Sequence, residues 1–228
     1  MAKASPRHIK TSSDGSLTLW VPELDEYYHS IHGALTESQH VFINAGLKAM
    51  QLTEVRVLEV GLGTALNARL TLEQKGSTLI HYTALEKFPL TTKEIDLLDL
   101  SSREQQGSIL RCPPFVPTEL IPGFHFELMT TDLRSFESEE FSFDLIYFDA
   151  FAPSAQPELW TDEIFEKMFK ILAVGGCLVT YCAKGVVKRS MKAAGFEVER
   201  LPGPPRKRAL NFIIFSMRAS FLVFLEED

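Results

Sequence analysis

An acidic residue near the middle of the chain stands where an α/β protein would place a reactive group. Residues 145–148 (Leu-Ile-Tyr-Phe) form an apolar run long enough for a buried strand, and Asp149 follows them directly. The sequence 150–153 (Ala-Phe-Ala-Pro) then turns the backbone away. Ligands of open α/β sheets bind outside the carboxyl ends of the strands. Asp149 is therefore a candidate for accepting hydrogen bonds from a reacting group, although an Asp that only caps the next turn would give the same pattern.

Three other predicted strands also end in acidic residues. Glu59 ends the first strand of the alternating region, Glu86 follows the second, and Asp132 follows the third. With Asp149 these residues form a mostly anionic rim, which favours a ligand that carries a sulfonium and an ammonium group, such as S-adenosyl-L-methionine (SAM). We expect Glu59 to accept hydrogen bonds from the SAM amino group or nearby water. We expect Glu86 to bind the ribose hydroxyls, because it follows the glycine turn at a spacing of about 20 residues.

A glycine turn follows Glu59. Gly61 and Gly63 let the backbone turn tightly and approach a ligand, with a helix N-terminus directly behind. An alanine replaces the third glycine of the dinucleotide fingerprint, which argues against a nicotinamide cofactor more than against SAM. At the next strand end, Asp132 is predicted to accept hydrogen bonds from the adenine amino group, and Leu133 is predicted to pack on the adenine ring.

Strands and helices alternate from residue 55 onward, which predicts a doubly wound, mostly parallel sheet. Predicted strands cover 55–60, 78–85, 124–129, 145–148, 177–181, 196–201 and 210–216, and predicted helices cover 64–75, 91–100, 161–173 and 184–194. The proline-rich segment 101–123 is predicted to be a loop-rich insertion. A final antiparallel pair is typical of class I SAM-dependent methyltransferases, so we predict their Rossmann-like, seven-stranded α/β sheet with an antiparallel last strand.

The N-terminal region is predicted to pack on this sheet as an extension. Residues 9–21 alternate around an Asp-Gly turn and predict a β-hairpin. A Thr-x-x-Gln capping box and an apolar stripe predict a helix over 36–51. We therefore divide the chain into an N-terminal extension, 1–52, and a methyltransferase domain, 53–228.

The composition is that of an ordinary globular protein. The 228 residues carry a formal net charge of −7, which argues against broad binding along nucleic-acid phosphates but allows a local basic patch. Cys112, Cys177 and Cys182 are too few and too far apart for a disulfide framework or a zinc site, which suggests a cytoplasmic protein. The N-terminus lacks the apolar core of a secretory signal, and the longest apolar stretch, 212–225, is too short to span a membrane.

Five stretches of the sequence form a specific combination. They are Tyr27-Tyr28 with 33–42, 59–67, 86–90 (Glu-Lys-Phe-Pro-Leu), 149–153 with Pro157 and Trp160, and 203–208. Over roughly residues 20–215 they resemble the methyltransferase domain of the bacterial tRNA wobble-uridine enzymes of the MnmC/MnmD type. The loop that follows Asp149 also resembles the Asp/Asn-Pro-Pro-aromatic loop of amine-directed methyltransferases. Ala65, in place of a glycine, and Ala209, in place of an acid, depart from the family pattern.

The resemblance implies an activity and a set of site residues. SAM would methylate the exocyclic amine of 5-aminomethyl-(2-thio)uridine at the tRNA wobble position. Separate enzymes would supply that base, because the chain has no room for the FAD-dependent oxidase domain of the bifunctional relatives; neither FAD nor a metal is expected. The predicted catalytic residues are Asp149 and Phe151. The predicted cofactor-binding residues are Tyr28, Glu59, Gly61, Gly63, Asn67, Glu86, Lys87, Asp132, Leu133 and Asp149, and the predicted RNA-binding residues are Lys184, Lys188, Arg189, Arg206, Lys207 and Arg208.

The sequence leaves the roles of two aromatic residues open. Phe151 could stack on the uracil, which must leave the anticodon stack to be reached. Tyr28 could form the pocket wall near the methyl donor or could simply pack on the core from the N-terminal region.

Four other functions are alternatives to this interpretation: two transferases, a binding subunit and a dehydrogenase. A small-molecule amine methyltransferase, or an aminopropyltransferase of the polyamine-synthase kind, would use the same sheet and the same acids, and the negative net charge suits a cationic substrate. A non-catalytic SAM-binding subunit would have no reason to keep Asp149 and its turn. A nicotinamide dehydrogenase fits least, because no His or Lys ends a strand as an acid for hydride transfer.

Overall fold

The computed structural model describes residues 7–11, 17–28, 33–98, 100, 103–201 and 212–216. The first element of the described chain is an antiparallel sheet of three strands. Its strands are β1 (His8–Thr11), β2 (Leu17–Val21) and β3 (Glu26–Tyr27). Strand β1 pairs with β2 in a register that places His8 opposite Trp20, which confirms the predicted hairpin. The turn that joins the two strands lies outside the described residues.

The next segment is helical but changes its pitch twice. Helix α1 (Ala34–Ser38) continues as a π-helix over Gln39–Asn44, and a 3-10 helix follows over Leu47–Met50. The single predicted helix is therefore present as three short segments. The predicted capping box is wrong, because α1 begins after Gly33 and Thr36 lies inside the helix. Gly33 has a φ of 124°, a conformation that glycine adopts far more readily than other residues.

Eight strands form the main sheet of the described residues. They are β4 (Glu54–Val60), β5 (Leu79–Leu85), β6 (Thr118–Ile121), β7 (Phe124–Met129), β8 (Phe143–Phe148), β9 (Leu172–Thr180), β10 (Glu197–Leu201) and β11 (Phe212–Ser216). Their order across the sheet is β10-β11-β9-β8-β4-β5-β7-β6. Strands β7, β5, β4, β8 and β9 run parallel, whereas β11 pairs antiparallel with both β9 and β10. This is the predicted doubly wound arrangement, and its strand order reverses at β4.

Helices connect the parallel strands close to the predicted positions. They are α2 (Leu66–Gln74), α3 (Thr92–Leu97), α4 (Glu104–Leu110), α5 (Asp162–Ile171) and α6 (Gly185–Ala193), with a 3-10 helix over Pro157–Leu159. No helix in the described part of the chain is both long enough and apolar enough to cross a membrane.

The segment 101–123 is more regular than its prolines predict. It contains α4, and it contributes β6, which pairs antiparallel with β7 and adds an eighth strand to the seven predicted. The first three prolines lie between α4 and β6, and the fourth directly follows β6. The prolines therefore mark the ends of these elements and do not exclude them. The prediction of a loop-rich insertion therefore missed one helix and one strand.

Apolar residues cover both faces of the sheet. Val57 and Tyr82 face a cluster that also contains Leu19 and Phe42 from the N-terminal region. Leu58, the neighbour of Val57 on β4, faces a second cluster that includes residues of α5 and α6. Strands buried on both faces are typical of parallel sheets covered by helices. Because the N-terminal region shares the first cluster, the division at residues 52 and 53 stays a prediction.

Candidate active site

A cavity of about 580 Å³ lies at the carboxyl ends of β4, β5, β7 and β8. This is the edge of the sheet at which the sequence predicts a ligand. Three of the four predicted acids, Glu86, Asp132 and Asp149, contribute to its wall. The wall also includes Arg7, Glu26, Tyr28, Glu37, Gly61, Gly63, Lys87, Leu133, Phe151 and Tyr181.

The turn after β4 carries the backbone close against two parts of the site. Gly61 has a φ of 90°, and a Cβ atom there would lie 2.7 Å from the carbonyl oxygen of Asp149. Gly63 has a φ of 55°, and a Cβ there would lie 2.8 Å from Cδ1 of Tyr28. Both positions therefore require glycine. Ala65, which departs from the family pattern, adopts a φ of 62°, a left-handed conformation that costs about 1–2 kcal/mol, while its methyl group is buried in the core.

Glu86 is fixed at the cavity wall by two backbone groups. Its Oε2 accepts a hydrogen bond from the backbone N–H of Gly63 (3.1 Å), and its Oε1 accepts one from the N–H of Phe88 (2.9 Å). These bonds hold the orientation of the carboxylate, and each oxygen keeps a lone pair for another donor. The geometry therefore supports the predicted binding of ribose hydroxyls by Glu86.

Asp132 also lines the cavity, but cations surround its carboxylate. Arg134 donates to both carboxylate oxygens through its side chain (2.6 and 3.0 Å), and Lys87 donates to Oδ2 (2.8 Å). The hydrogen bonds from Arg134, together with those from Lys87, hold the pKa of Asp132 well below its usual range. The predicted anionic rim is thus partly neutralised here. Leu133 is buried and lines the cavity, as expected for a residue that packs on adenine.

Asp149 is half-buried in the cavity wall at the end of β8. Its backbone N–H donates to the carbonyl of Val60 (3.0 Å), and its Oδ2 accepts a hydrogen bond from Nδ2 of Asn67 (2.8 Å). Burial raises the pKa of the Asp149 carboxyl well above its usual range, the hydrogen bond from Asn67 opposes that rise, and the charge of Glu37 adds to it. A carboxylate in this environment accepts protons and hydrogen bonds more strongly than an exposed Asp.

Glu59 and Asn67 lie behind the cavity wall rather than on it. Glu59 is 0% exposed and Asn67 is 1% exposed, and neither residue is part of the cavity surface. Asn67 donates from the same Nδ2 to Oε1 of Glu59 (3.0 Å) and to Asp149, while the Tyr82 hydroxyl donates to Oε2 of Glu59 (2.8 Å). The geometry therefore does not support the predicted direct contacts of Glu59 and Asn67 with a cofactor.

The loop after Asp149 is braced by three side chains. The Tyr181 hydroxyl donates to the carbonyl of Ala150 (2.8 Å), the Phe151 N–H donates to Oε1 of Gln156 (3.1 Å), and Nε1 of Trp160 donates to the Phe151 carbonyl (2.8 Å). Sequence reasoning missed the roles of Gln156 and Tyr181 and noted Trp160 only as part of a motif. The position of Tyr181 directly after the strand next to β8 is the signal that could have found it.

Aromatic side chains close the cavity beside this loop. The ring of Tyr28 meets the ring of Phe151 edge-on at a centroid distance of 5.1 Å, and both residues line the cavity. The guanidinium of Arg7 lies 5.5 Å from the Tyr28 ring centroid and donates to the carbonyls of Phe88 and Pro89. Tyr28 is thus placed as the predicted pocket wall, and Arg7 is a residue of the site that the sequence did not indicate.

The residues predicted to bind RNA divide into two sets. Lys184 precedes the first residue of α6, and Lys188 and Arg189 lie in its first turns. Lys184 lies near the cavity, because its charge opposes the rise in the pKa of Glu26 that burial causes, and Glu26 lines the cavity. The basic segment 206–208 (Arg206, Lys207 and Arg208) lies outside the described residues.

Known proteins share the sequence pattern of this chain. Residues 120–211 match the family model described as S-adenosyl-L-methionine-dependent methyltransferase. The chain is 31% identical over 234 residues to the tRNA 5-methylaminomethyl-2-thiouridine biosynthesis bifunctional protein MnmC of Cupriavidus metallidurans, and the match covers 90% of this chain and 33% of that protein. The chain thus spans about a third of the length of the curated relatives it matches. These matches confirm the predicted resemblance.

Solved structures share the fold. MNMC2 from Aquifex aeolicus superimposes with a TM-score of 0.78 at 24% identity, covering 96% of this chain and 72% of that chain. A probable spermidine synthase from Corynebacterium glutamicum superimposes with a TM-score of 0.57 at 18% identity, covering 97% and 82%. Together with the strand order, these likenesses confirm the class I SAM-dependent methyltransferase fold.

Proposed function

We propose that this chain, a homologue of the MnmC/MnmD-type methyltransferase domain, transfers a methyl group from SAM to the 5-aminomethyl group of (2-thio)uridine at the tRNA wobble position. The observation that carries the proposal is the position of Asp149, a half-buried carboxylate on the cavity wall that is followed by a rigidly braced loop. The name of the matched relatives, which refers to biosynthesis of 5-methylaminomethyl-2-thiouridine in tRNA, supports the choice of substrate.

The residues of the cavity fit SAM. Gly61 and Gly63 leave a cradle that a Cβ atom would fill, Glu86 presents a fixed carboxylate for ribose hydroxyls, and Leu133 offers an apolar surface for adenine. When bound, SAM would supply an electrophilic methyl group: the amine nitrogen would bond to the methyl carbon as its bond to sulfur breaks, and the neutral thioether S-adenosylhomocysteine would leave. Neither FAD nor a metal enters this proposal.

Methyl transfer requires the neutral amine, which Asp149 can hold and orient once the amine has released its proton to solvent. An amine with a lysine-like pKa of about 10.4 costs on the order of 4–5 kcal/mol to deprotonate at pH 7. Asp149 can accept N–H hydrogen bonds, direct the nitrogen lone pair and stabilise the positive charge that develops on nitrogen. We propose that Phe151, which lines the cavity on the same loop, contacts the extruded uracil.

The supply of substrate is part of the proposal. The matched relatives are bifunctional and about three times as long as the matched region. We propose that separate cytoplasmic enzymes produce the aminomethyl-uridine that this chain methylates.

The decisive experiment combines the purified protein with tRNA from cells that lack this protein. Nucleoside mass spectrometry of that tRNA should show the unmethylated aminomethyl base, and incubation with the chain and labelled SAM should convert it to the methylaminomethyl base. Fully modified tRNA from wild-type cells is the matched control and should accept no label. If the tRNA lacking the modification takes up no methyl group, the proposal is wrong.

One second candidate has its own supporting observation. The structural likeness to a probable spermidine synthase favours a small cationic amine as the substrate, with an aminopropyl or a methyl group transferred to it. Glu26 and Glu37 on the cavity wall would suit such a cation. Putrescine and spermidine, offered in the same assay in place of tRNA, distinguish this candidate. A SAM-binding subunit without activity would transfer nothing to any of them.

We expect the basic segment 206–208 to contribute to tRNA affinity. Replacing Arg206, Lys207 and Arg208 with Ala should weaken binding and should reduce the slope of log affinity against log salt by about 2 to 3, because each phosphate contact releases a counterion. Filter binding of tRNA at several salt concentrations measures both effects.

A matched control removes three cations from the opposite edge of the sheet. Lys48, Lys75 and Lys170 lie where helices lead into the amino ends of β4, β5 and β9, away from the cavity. Their replacement by Ala changes the net charge by the same amount but should leave the salt slope nearly unchanged. Equal slopes in the two triple variants would exclude segment 206–208 from the RNA interface.

A further inference from the structure

We propose that Asn67 is a positioning residue for Asp149, held in place by Glu59 and Tyr82, and that it does not bind the cofactor. The inference rests on the proposed function, because Asp149 is the residue whose geometry it explains. Glu59 and Asn67, which the sequence predicts to contact the cofactor, would instead hold the Asp149 carboxylate in place.

The hydrogen bonds form one chain from the core to the cavity. The Tyr82 hydroxyl donates to Oε2 of Glu59, Nδ2 of Asn67 donates to Oε1 of Glu59, and the same Nδ2 donates to Oδ2 of Asp149, at 2.8, 3.0 and 2.8 Å. Tyr82, Glu59 and Asn67 are all at most 1% exposed. Only Asp149, at the end of the chain of bonds, reaches the cavity. The buried members can therefore act on the reaction only through Asp149.

The chemistry of the amide fixes its orientation. The NH₂ group of Asn67 has two hydrogens, and it faces two carboxyl oxygens, so each oxygen receives one hydrogen. The opposite orientation would place the amide oxygen against the charged Asp149 carboxylate, a contact between two acceptors that is strongly unfavourable in a buried site. In the observed orientation, the amide oxygen of Asn67 is buried and has no hydrogen-bond partner among the described residues. Asn67 thus leaves its own acceptor unsatisfied while it binds both carboxyl groups.

The position of Glu59 explains how two carboxyl groups can share one amide. Burial and the charge of Asp149 raise the pKa of Glu59 well above its usual range. Glu59 is fully buried and away from the cavity, whereas Asp149 is only partly buried and lies on the cavity wall. We therefore assign the negative charge at neutral pH to Asp149 and the proton to Glu59. In neutral Glu59 the proton lies on Oε2, beside the Tyr82 hydroxyl oxygen that can accept it, and Oε1 still accepts the hydrogen bond that orients Asn67. A neutral Glu59 also adds no second charge beside Asp149.

The test is the replacement of Asn67 with Ala. We expect kcat for methyl transfer to tRNA to fall 10- to 100-fold, because a misplaced reacting group loses rate steeply. The dissociation constant for SAM should stay within three-fold of wild type. The acid limb of the kcat profile should move to higher pH by about one unit, because the hydrogen bond from Asn67 lowers the pKa of Asp149 and its loss raises it.

Two further variants separate positioning from folding. Thr71 lies one turn later on α2, is 0% exposed, and donates to the backbone carbonyl of Asn67 (2.8 Å) without touching its side chain. Thr71→Val should therefore lower the melting temperature but should not move the pH profile. Glu59→Gln keeps an acceptor for Asn67 and the neutral charge, so its kcat should stay within three-fold of wild type, whereas Glu59→Ala should behave like Asn67→Ala.

The outcomes are distinct. A ten-fold or greater rise in the SAM dissociation constant of Asn67→Ala, with kcat at saturating SAM unchanged, would show a cofactor ligand and overturn the proposal. An unmoved pH profile would also overturn it. If wild type transfers no methyl group to tRNA, the proposed function fails, but the titration of the Asp149 carboxyl by ¹³C NMR, which needs no substrate, still decides the positioning role. Asn67→Ser, which keeps a short donor, serves for this titration if Asn67→Ala does not fold.

Discussion

Replacing Asp149 with Ala or Asn is expected to lower kcat for methyl transfer to tRNA by about 10³-fold, or roughly 4 kcal/mol of transition-state stabilisation. Alanine removes the acceptor for the amine N–H groups. Asparagine keeps the shape, but its oxygen must accept the hydrogen bond from Asn67, so its NH₂ group would face the amine donor. The dissociation constant for SAM should stay within a few-fold of wild type in both variants, as isothermal titration calorimetry would measure.

The stability of these variants gives an independent check. Because burial raises the pKa of Asp149 in the folded state, the folded protein binds more protons than the unfolded chain, and the carboxylate costs stability at pH values above its unfolded pKa. Asp149→Asn removes that cost, so its melting temperature at pH 7 should equal or exceed that of wild type. The difference should shrink as the pH falls and should vanish below the ordinary Asp range, where the wild-type carboxyl is protonated in both states.

Asp144 provides the matched control on the same strand. It lies at the start of β8, where its two oxygens accept hydrogen bonds from the Arg56 side chain (2.7 and 2.9 Å), away from the cavity. Asp144→Asn should lower the free energy of unfolding by about 1 kcal/mol, since Arg56 is partly exposed, and should leave kcat near wild type. An Asp149 variant that loses stability as Asp144→Asn does, and keeps its turnover, would contradict the role assigned to Asp149.

The fold was predictable because its signals are local. Apolar runs of strand length followed by helical periodicity give β4, β5, β7 and β8 within two residues of their observed bounds. Among the elements that sequence reasoning missed is β6, a short edge strand between prolines. Strands of this kind owe their pairing to a neighbour, here β7, and their own composition carries little signal. The sequence also did not predict the change from α-helix to π-helix to 3-10 helix after α1, because that change depends on packing against the sheet.

The site was predictable in its positions but not in its partners. The strand-end acids lie where the sequence places them, because parallel strands bring their carboxyl ends to one edge. Their environments differ for reasons that lie far apart in the chain. Asp132 is surrounded by Lys87 and Arg134, so it is held ionised, whereas Glu59 meets Tyr82 in the core and is withdrawn from the cavity. Acids that look equivalent in the sequence therefore lie in different electrostatic environments in the structure.

The glycine turn offers the second large effect. Gly61→Ala should lower the free energy of unfolding by about 2–4 kcal/mol, because alanine is strained at a φ of 90° and its Cβ would lie 2.7 Å from the Asp149 carbonyl oxygen. Relief of that contact requires the backbone of Asp149 to move. We therefore expect kcat to fall by about 100-fold or more, the effect of misplacing a reacting group by about 1 Å.

Gly175 separates the two causes of this effect. It has a φ of 81°, close to that of Gly61, but a Cβ there would meet nothing within 4 Å. Gly175→Ala should therefore cost only the backbone strain, about 1–2 kcal/mol, with kcat unchanged. Denaturant unfolding measures how much more stability Gly61→Ala loses than Gly175→Ala, and single-turnover kinetics measures how much more its rate falls. Both differences report the contact with Asp149. If both variants lose the same stability and neither loses turnover, the turn after β4 does not set the position of Asp149, and its glycine serves the local backbone alone.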